Sequence, residues 1–213
     1  MSAAPRVGVL ALQGDFAPHV ERLRALGANA IEVRSPECLE PLTHLVLPGG
    51  ESTTLYRLMQ RFGFLVPLRD AHREGRLALF GTCAGAILLG RSFESCATPP
   101  RLGLIDVELE RNGYGRQVHS RRRAIVPCVP SLAGHDSGLF IRAPRIRHCG
   151  EGVRVLARDE CGDPVLVGDE RVLLATYHPE LDEEPALHRL FLELRAGETV
   201  RAGGSAGSSP ASS

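Results

Sequence analysis

The sequence predicts an α/β fold: a doubly wound, mostly parallel sheet with flanking helices, and an antiparallel extension in the C-terminal half. Up to Gly90, short apolar runs alternate with segments whose apolar residues have helical spacing, a pattern typical of parallel sheets covered on both faces. From Gly103 onward, short strand patterns follow one another directly, which indicates antiparallel pairing. The chain has 213 residues, 43% of them hydrophobic, enough for one well-packed domain.

The first half contains four strand patterns that alternate with helix patterns. RVGVLAL, from Arg6 to Leu12, predicts the first strand, and AIEV, HLVLPGG and RLALF predict the next three. HVERLRALG predicts a helix that ends at Gly27, because glycine commonly follows the last helical turn. STTLYRLMQRFGF predicts a second helix, and AGAILLG a third. The candidate caps of the second helix are the hydroxyl residues Ser52, Thr53 and Thr54.

The second half contains five strand patterns followed by one helix. The strand patterns are GLIDVELE, GLFIRAP, VRVLAR, PVLVG and RVLLATYH, and all five are assigned to the antiparallel extension. The closing helix is predicted from Pro185 through Arg195. We interpret residues 1–201 as a single domain. Residues 202–213 are predicted to be a disordered tail, because their glycine, serine and alanine content offers too little apolar surface to bury.

The charge balance argues against nucleic acid and membrane partners. Lysine and arginine together number 25, as do aspartate and glutamate, so the net charge is zero. No apolar run is long enough for a membrane span, and the N-terminal residues lack the pattern of a signal peptide. We therefore expect a cytoplasmic protein.

Six cysteines are scattered along the chain without a C-x-x-C pair. They are Cys38, Cys83, Cys96, Cys128, Cys149 and Cys161. This spacing argues against a zinc ribbon and against a dithiol redox centre. In a cytoplasmic protein we expect reduced thiols, several of which fill the core.

Cys83 differs from the other cysteines because it lies between Gly81 and Gly85, where a predicted strand meets a predicted helix. Gly-x-Cys-x-Gly in this position has the form of a nucleophile elbow, in which the glycines permit a tight turn. The N-terminus of the following helix favours a thiolate. The N–H of Ala84 is then placed to donate to the oxyanion of an attacked carbonyl. The alternative is a buried structural cysteine at the end of a strand.

His178 is the best candidate for the base that a cysteine nucleophile requires. It ends an apolar strand, and Pro179 biases it toward an extended backbone. Residues two apart in an extended segment face the same way, so we expect His178 and Glu180 to point into one cleft, where the carboxylate orients the imidazole. Most other histidines, such as the one in ALHRL, stand in polar settings and are expected at the surface.

The segment LVLPGGEST places two glycines between a strand and a helix. Backbone N–H groups exposed in such a turn can bind a carbonyl or a carboxylate. The segment lacks the G-x-x-x-x-G-K-[ST] pattern of a Walker loop. A plain strand-to-helix turn is the alternative.

Together these motifs resemble the class I, triad-type glutamine amidotransferases. VLALQGD, LPGGEST, GTCAGAILL and HPEL are similar to motifs that mark this class. ERNGYGRQVHS and FIRAP narrow the resemblance to the vitamin B6 branch, the glutaminase subunits of pyridoxal 5′-phosphate synthase. The motifs occur in the family's order and cover nearly all of residues 6–195.

The resemblance implies a glutaminase that converts L-glutamine and water into L-glutamate and ammonia. Cys83 would be the nucleophile, His178 the general base and Glu180 the orienting acid, with no metal and no organic cofactor. The ammonia would serve a separate (β/α)₈-barrel subunit that makes pyridoxal 5′-phosphate, in a large hetero-oligomer. The implied substrate-binding residues are Gly50, Glu51, Ser52, Arg111, Ile141 and Arg142, and those near the oxyanion site or the partner are Gln13, Gly49 and Ala84.

The sequence departs from the family pattern at two places. Arginines at 121–123 replace a more usual aromatic-acidic stretch after Ser120, and Tyr177 stands where phenylalanine is common. We predict that the arginine run is a solvated face, with an altered partner contact as the alternative.

The alternative functions are a glutaminase subunit for another acceptor (the histidine, tryptophan or purine pathways), a related cysteine hydrolase or chaperone, and an inactive binding module. The presence of both Cys83 and His178 argues against the inactive module.

Overall fold

The computed structural model describes residues 5–93, 100–113 and 121–196, which form a nine-stranded and a three-stranded sheet with flanking helices. The strands are β1 (Arg6–Leu10), β2 (Asn29–Val33), β3 (His44–Leu47), β4 (Ala78–Thr82), β5 (Arg91–Ser92), β6 (Val107–Glu110), β7 (Arg121–Pro127), β8 (Ser137–Phe140), β9 (Arg145–Cys149), β10 (Arg154–Asp159), β11 (Pro164–Gly168) and β12 (Val172–Ala175). The helices are α1 (Phe16–Ala25), α2 (Ser52–Arg61), α3 (Leu65–Arg73), α4 (Ala84–Leu89) and α5 (Ala186–Leu192). Short 3₁₀ turns cover Pro36–Leu39, Pro130–Leu132 and Pro179–Leu181. No helix within the described ranges is long and apolar enough to cross a membrane.

The strand order of the large sheet confirms the predicted fold class. Its order is β2-β1-β3-β4-β12-β11-β10-β7-β8. The first five strands in this order pair in parallel, and the others pair antiparallel. One assignment was wrong: RVLLATYH contributes β12, which belongs to the parallel part and pairs with β4. All four residues of β12 are buried, as expected of an interior parallel strand.

Helices cover both faces of the sheet, as a doubly wound fold requires. Helices α2, α3 and α4 pack on one face together with the three-stranded sheet formed by β5, β6 and β9. Helices α1 and α5 pack on the other face. Because β4 and β12 lie in the middle of the large sheet, the turns that follow them are held between these two layers.

The bounds of several elements differ from the prediction for local reasons. Helix α1 begins at Phe16, before Pro18, because the first turn of a helix tolerates proline. The closing helix is shorter than predicted and ends at Leu192. The sequence analysis missed four elements, which are α3, β5, β7 and β9.

The cysteines occupy more varied environments than predicted. Those in the described ranges are free thiols, and Cys83 is buried. Cys38 and Cys149 are half-buried and pack against the core, in line with the expectation that several thiols fill it, whereas Cys128 and Cys161 are exposed. Cys96 and the predicted tail, residues 202–213, lie outside the described residues.

Candidate active site

Cys83 lies in the tight turn that joins β4 to α4. Its backbone φ of 44° and ψ of −98° are values that residues with a side chain rarely adopt, and its N–H donates to the Ala175 carbonyl at 2.9 Å. An added Cβ on Gly85 would lie 1.9 Å from the Leu47 carbonyl oxygen, and one on Gly81 would lie 2.7 Å from the Gly85 carbonyl carbon. Both flanking positions therefore need glycine, and the strained strand-to-helix turn expected of a nucleophile elbow is present.

His178 and Glu180 lie in the turn that follows β12. His178 Nδ1 is 2.7 Å from Glu180 Oε1, and both side chains are buried. The extended backbone predicted for this segment is wrong, because Pro179 begins a 3₁₀ turn in which the Leu181 N–H donates to the His178 carbonyl. The predicted contact between ring and carboxylate is nevertheless formed, since the turn folds the carboxylate back onto the imidazole.

The candidate base and the candidate nucleophile follow neighbouring strands. β12 pairs in parallel with β4, with Ala175 opposite Thr82, so the turns after both strands open at the same edge of the sheet. The loop after β3 reaches the same point. An added Cβ on Gly49 would lie 2.5 Å from His178 Cε1 and 3.6 Å from Cys83 Cβ.

The surroundings of His178 favour its charged form. Burial lowers its pKa, but the hydrogen bonds and negative charges of Cys83 and Glu180 outweigh burial and raise the pKa to about 10. At neutral pH the ring is therefore an imidazolium, held between the side chains of Glu180 and Cys83. In this state it can give a proton to a leaving group.

A pocket of about 160 Å³ opens in front of Cys83. It is smaller than the roughly 300–1,000 Å³ typical of pockets for drug-sized ligands, and its size suits an amino acid. Its lining combines the end of the elbow with loops that follow β1, β3, β6, β8 and β12. The lining residues are Asp15, Gly50, Glu51, Ser52, Cys83, Ile87, Arg111, Asn112, Ile141, Arg142 and His178.

The pocket brings together the residues predicted to bind substrate. Gly50, Glu51, Ser52, Arg111, Ile141 and Arg142 all line it. The sequence analysis missed three further lining residues, Asp15, Ile87 and Asn112. Asn112 has a φ of 53°, and asparagine tolerates this left-handed backbone well. The Asn-Gly pair in the sequence therefore indicates a turn at this position.

Glu51 caps helix α2 and stands beside a pocket arginine. Its carboxylate accepts hydrogen bonds from the N–H groups of Thr53 and Thr54 at 3.1 and 2.7 Å. The predicted caps, among them Ser52, are therefore wrong, because the helix begins at Ser52 and Glu51 is its N-cap. Desolvation opposes ionisation of Glu51, but these donors outweigh it and lower the pKa to about 2. Glu51 Oε1 lies 3.4 Å from Arg111 Nη2, so the guanidinium is oriented at the rim of the pocket.

The glycine loop after β3 is fixed by the end of β1. Gln13 Oε1 accepts from the Glu51 N–H at 3.2 Å, and Gln13 Nε2 lies 2.0 Å from where a Cβ on Gly50 would stand. The Gly49 carbonyl accepts from the Asp15 N–H at 3.3 Å. The loop thus has its present conformation because a polar side chain and a backbone donor from the first strand hold it.

Three side chains in the site are close enough to share a metal ion. Asp15, His178 and Glu180 each offer a ligand atom within 4.8 Å of the others. One of these atoms, His178 Nδ1, already forms the 2.7 Å contact with Glu180. A metal ion would have to replace that contact, so metal binding and the predicted triad exclude each other.

Comparison with known proteins assigns the chain to a family. A model described as the SNO glutamine amidotransferase family matches residues 9–196, a range that includes every site residue named above. The chain belongs to the SNO glutamine amidotransferase family. Membership of this family confirms the resemblance to glutamine amidotransferases that was inferred from the sequence motifs.

Several relatives share most of their length with this SNO chain. The pyridoxal 5′-phosphate synthase subunit PdxT of Thermus thermophilus is 53% identical over 189 residues, which cover 88% of this chain and 96% of that protein. The protein of the same name from Deinococcus radiodurans is 48% identical over 200 residues, 90% of this chain and 97% of that one. The solved structure of a glutamine amidotransferase matches with a TM-score of 0.80 and 50% identity, over 89% of this chain and 98% of that chain.

Buried histidines are more numerous in this SNO chain than the sequence suggested. His188 was expected at the surface but has no exposed area, and His19, His44 and His135 are also buried. The prediction for His188 was wrong because its polar neighbours in sequence lie on other faces of α5. His135 donates to or accepts from the hydroxyl of Tyr177 at 2.7 Å, which gives the tyrosine at this position a buried partner.

The arginine run of this SNO chain lies on β7 and is mostly paired. Arg123 is half-buried and lies 3.0 Å from Asp159, and the exposed Arg122 lies 2.7 Å from Asp182. The prediction of a solvated face therefore holds for Arg121 and Arg122, which are exposed, and is wrong for Arg123, whose side chain is only 8% exposed. Their charges are engaged in ion pairs within the chain.

Proposed function

We propose that this protein is the glutaminase subunit of a pyridoxal 5′-phosphate synthase. It hydrolyses L-glutamine to L-glutamate and ammonia and delivers the ammonia to a separate synthase subunit. The observation that carries the proposal is the meeting of an elbow cysteine, a histidine and a buried glutamate at one amino-acid-sized pocket. Relatives 53% and 48% identical bear the name of this subunit, which supports the choice of acceptor.

The first half of the reaction forms a glutamyl thioester. The Cys83 thiolate attacks the side-chain carbonyl carbon of glutamine and forms the S–C bond, and the carbonyl oxygen becomes an oxyanion. The Ala84 N–H has no acceptor within its own helix, since it belongs to the first turn, so it is available to this oxyanion. As the intermediate collapses, His178 gives its proton to the departing nitrogen, and the C–N bond breaks to release ammonia.

The second half of the reaction regenerates the thiolate. His178, now neutral, takes a proton from water, and the resulting hydroxide attacks the thioester carbon. Collapse of the second tetrahedral intermediate breaks the S–C bond and releases L-glutamate. Glu180 holds the ring throughout by accepting from Nδ1, as the orienting acid of a triad does.

Recognition of glutamine rests on charges at the rim of the pocket. The Arg111 guanidinium can bind the substrate α-carboxylate through two parallel N–H donors. Glu51 is ionised at neutral pH because of its lowered pKa of about 2, and it lines the same pocket, where it can attract the α-ammonium group. The carbonyl oxygen of Ile141 lies 3.8 Å from Cys83 Sγ. The side-chain amide of glutamine must therefore bind beside this carbonyl to reach the nucleophile.

We further propose that the synthase subunit is a (β/α)₈ barrel, that the two subunits form a large hetero-oligomer in the cytoplasm, and that docking raises glutaminase activity. The family resemblance supports the first two statements. The third is supported by the glycine loop, whose conformation is set by the half-buried Gln13 and the exposed Asp15 in the segment between β1 and α1. A partner that contacts this segment can rotate a glycine peptide at little steric cost and so change the supply of oxyanion donors.

The decisive experiment measures glutamate release by the purified chain, alone and with excess pyridoxal 5′-phosphate synthase subunit. We expect release to rise about tenfold or more with the partner, equivalent to at least about 1.4 kcal/mol of barrier, and to vanish in Cys83→Ala. Equal rates with and without the partner would rule out the switch. Absence of glutamate in both cases would favour a different cysteine hydrolase. Activation by an amidotransferase acceptor of another pathway would reassign the partner.

A further inference from the structure

Two buried histidines continue the polar chain behind Glu180. The Glu180 side chain is fully buried, and its Oε1 is engaged by His178. Its Oε2 forms no well-aligned hydrogen bond among the described residues, but His19 Nε2 lies 3.3 Å away. His19 Nδ1 in turn lies 2.9 Å from His188 Nε2. His19 and His188 have no exposed area, so water cannot take the place of these partners.

The protonation of the two histidines follows from their burial. Burial lowers the pKa of His19 well below its usual value, and the nearby His188 and His178 lower it further. Burial, helped by the charge of Arg22, also lowers the pKa of His188 to about 3. Both rings are therefore neutral at physiological pH, so each carries a hydrogen on one nitrogen only.

One arrangement of these hydrogens fits the surroundings better than the other. If His188 Nε2 donates to His19 Nδ1, then His19 carries its hydrogen on Nε2, which faces Glu180. The reverse arrangement would place a bare nitrogen against the Glu180 carboxylate. It would also bury an N–H on His188 Nδ1, an atom for which no partner exists in the described part of the chain. A buried N–H without an acceptor is costlier than a bare acceptor.

The His19 N–H has two oxygens within reach. Thr82 Oγ1 lies 3.2 Å from Nε2 and has the better alignment, whereas Glu180 Oε2 lies at 3.3 Å. Hydrogen bonds to an ionised acceptor are roughly twice as strong as those to a neutral one. A small rotation of the ring therefore directs the N–H onto the carboxylate, while Thr82, the last residue before Cys83, stays in contact.

Helix α1 holds the acid at a second point. Arg22 lies three residues after His19 on the same face of α1, and its Nε donates to the Glu180 carbonyl at 3.3 Å. Its Nη1 donates to the Glu183 carbonyl at 3.2 Å. One helix thus contacts both the carboxylate and the backbone of the acid.

We propose that His19 is a positioning residue of the triad: its neutral imidazole donates from Nε2 to Glu180 Oε2, is kept in that tautomer by His188, and thereby keeps Glu180 turned toward His178. The inference rests on the proposed function, since it assigns a role for His19 in that same site. His19 does not line the pocket. Its loss should therefore lower kcat and leave KM nearly unchanged.

The test compares three variants of the full chain, assayed with excess synthase subunit. His19→Leu removes the N–H, and we expect kcat to fall about 10- to 100-fold. This is the loss of activity seen when a group that orients a metal-binding side chain is removed, and His19 orients Glu180 in a comparable way. His19→Gln can present an amide N–H near the same place and should recover most of the rate. His44→Leu is the matched control: it also removes a buried histidine, one that contacts Thr43 and Phe191 and lies apart from the triad, so kcat should stay at the wild-type value.

Four results would overturn the proposal. They are a wild-type kcat in His19→Leu, an equal loss in His19→Gln, an equal loss in His44→Leu, and a rise in KM that accounts for the whole effect. Should His19→Leu fail to fold, His19→Met replaces it, because its flexible side chain fills irregular space without an N–H.

A spectroscopic readout separates this inference from the proposed function. The hydrogen that His178 Nδ1 shares with Glu180 should give a low-field proton resonance in the free chain. We expect this resonance to shift in His19→Leu or His19→Met and to stay near its wild-type position in His19→Gln and His44→Leu. An unchanged resonance in the apolar variant would refute the role of His19. A wild-type chain that releases no glutamate would refute the proposed function, while the resonance still decides the role of His19.

Discussion

Replacing Gly49 by alanine should disable the site while the fold is kept. Gly49 does not have a positive φ, so its backbone accepts alanine, but the new Cβ would lie 2.5 Å from His178 Cε1 and 3.0 Å from Nδ1. Nonbonded carbon atoms need about 3.5–4.0 Å, so the ring must retreat by about 1 Å. A displacement of about 1 Å can cost on the order of 100-fold in rate, which corresponds to about 2.7 kcal/mol of barrier.

The assay is steady-state glutamate release with saturating synthase subunit, together with thermal unfolding of each variant. Gly27→Ala is the control, because nothing lies within 4 Å of its added Cβ. Its φ of 80° should cost about 1–2 kcal/mol of stability, with no change in kcat. If Gly49→Ala turned over within about threefold of the wild type, the close packing of loop and base would not matter for the chemistry, and the reasoning would fail.

Three further predictions concern the charges of the site. Cys83→Ala and His178→Ala should reduce glutamate release to background. Glu180→Ala should keep part of the rate, because an orienting group contributes less than the groups that react. Equal losses in the three variants would contradict this order. The raised pKa of His178, about 10 when folded against roughly 6.5 unfolded, means that its stabilisation is complete below about pH 6.5 and is lost as the pH rises through about 10. The difference in unfolding free energy between wild type and His178→Gln should therefore be larger at low pH than at high pH, and a constant difference would refute the ion pair. Glu51→Ala removes a helix cap and the neighbour of Arg111. We expect the free energy of unfolding to fall by about 1 kcal/mol, Tm to fall by about 2–4 °C, and KM for glutamine to rise. An unchanged KM would show that Glu51 does not bind substrate.

Local chemistry explains what the sequence could predict. The elbow at Cys83 depends on two glycines beside one cysteine, and the loop at Gly49 depends on a strand followed directly by two glycines. Both patterns are complete within about ten residues, so they are readable without knowledge of the fold. The pairing of His178 with Glu180 was also predicted, although the backbone that produces it is a 3₁₀ turn rather than an extended segment.

Long-range packing explains what the sequence could not predict. The parallel pairing of β12 with β4 depends on which strand fills the centre of the sheet, and its apolar residues fit either direction equally well. His188 was misplaced because its burial depends on the contact of α5 with α1, which sequence neighbours do not report. The capping role of Glu51 could not be predicted because the three hydroxyl residues that follow it are preferred N-caps, and only the start of the helix at Ser52 decides among them.

The central place of β12 has a consequence for the synthesis of this protein. Strands β1 to β4 can pair as soon as they leave the ribosome, but the Ala175 carbonyl that accepts from the Cys83 N–H belongs to β12. The edge of β4 stays open until β12, which lies far along the chain from β4, enters beside it, and pairing over such a sequence distance is slow. A nascent chain that has not yet reached the turn after β12 therefore carries the thiol without its base and cannot consume glutamine. A chain that terminates before β12 exposes the unpaired edge of β4, a template for aggregation, so such fragments should be insoluble and inactive.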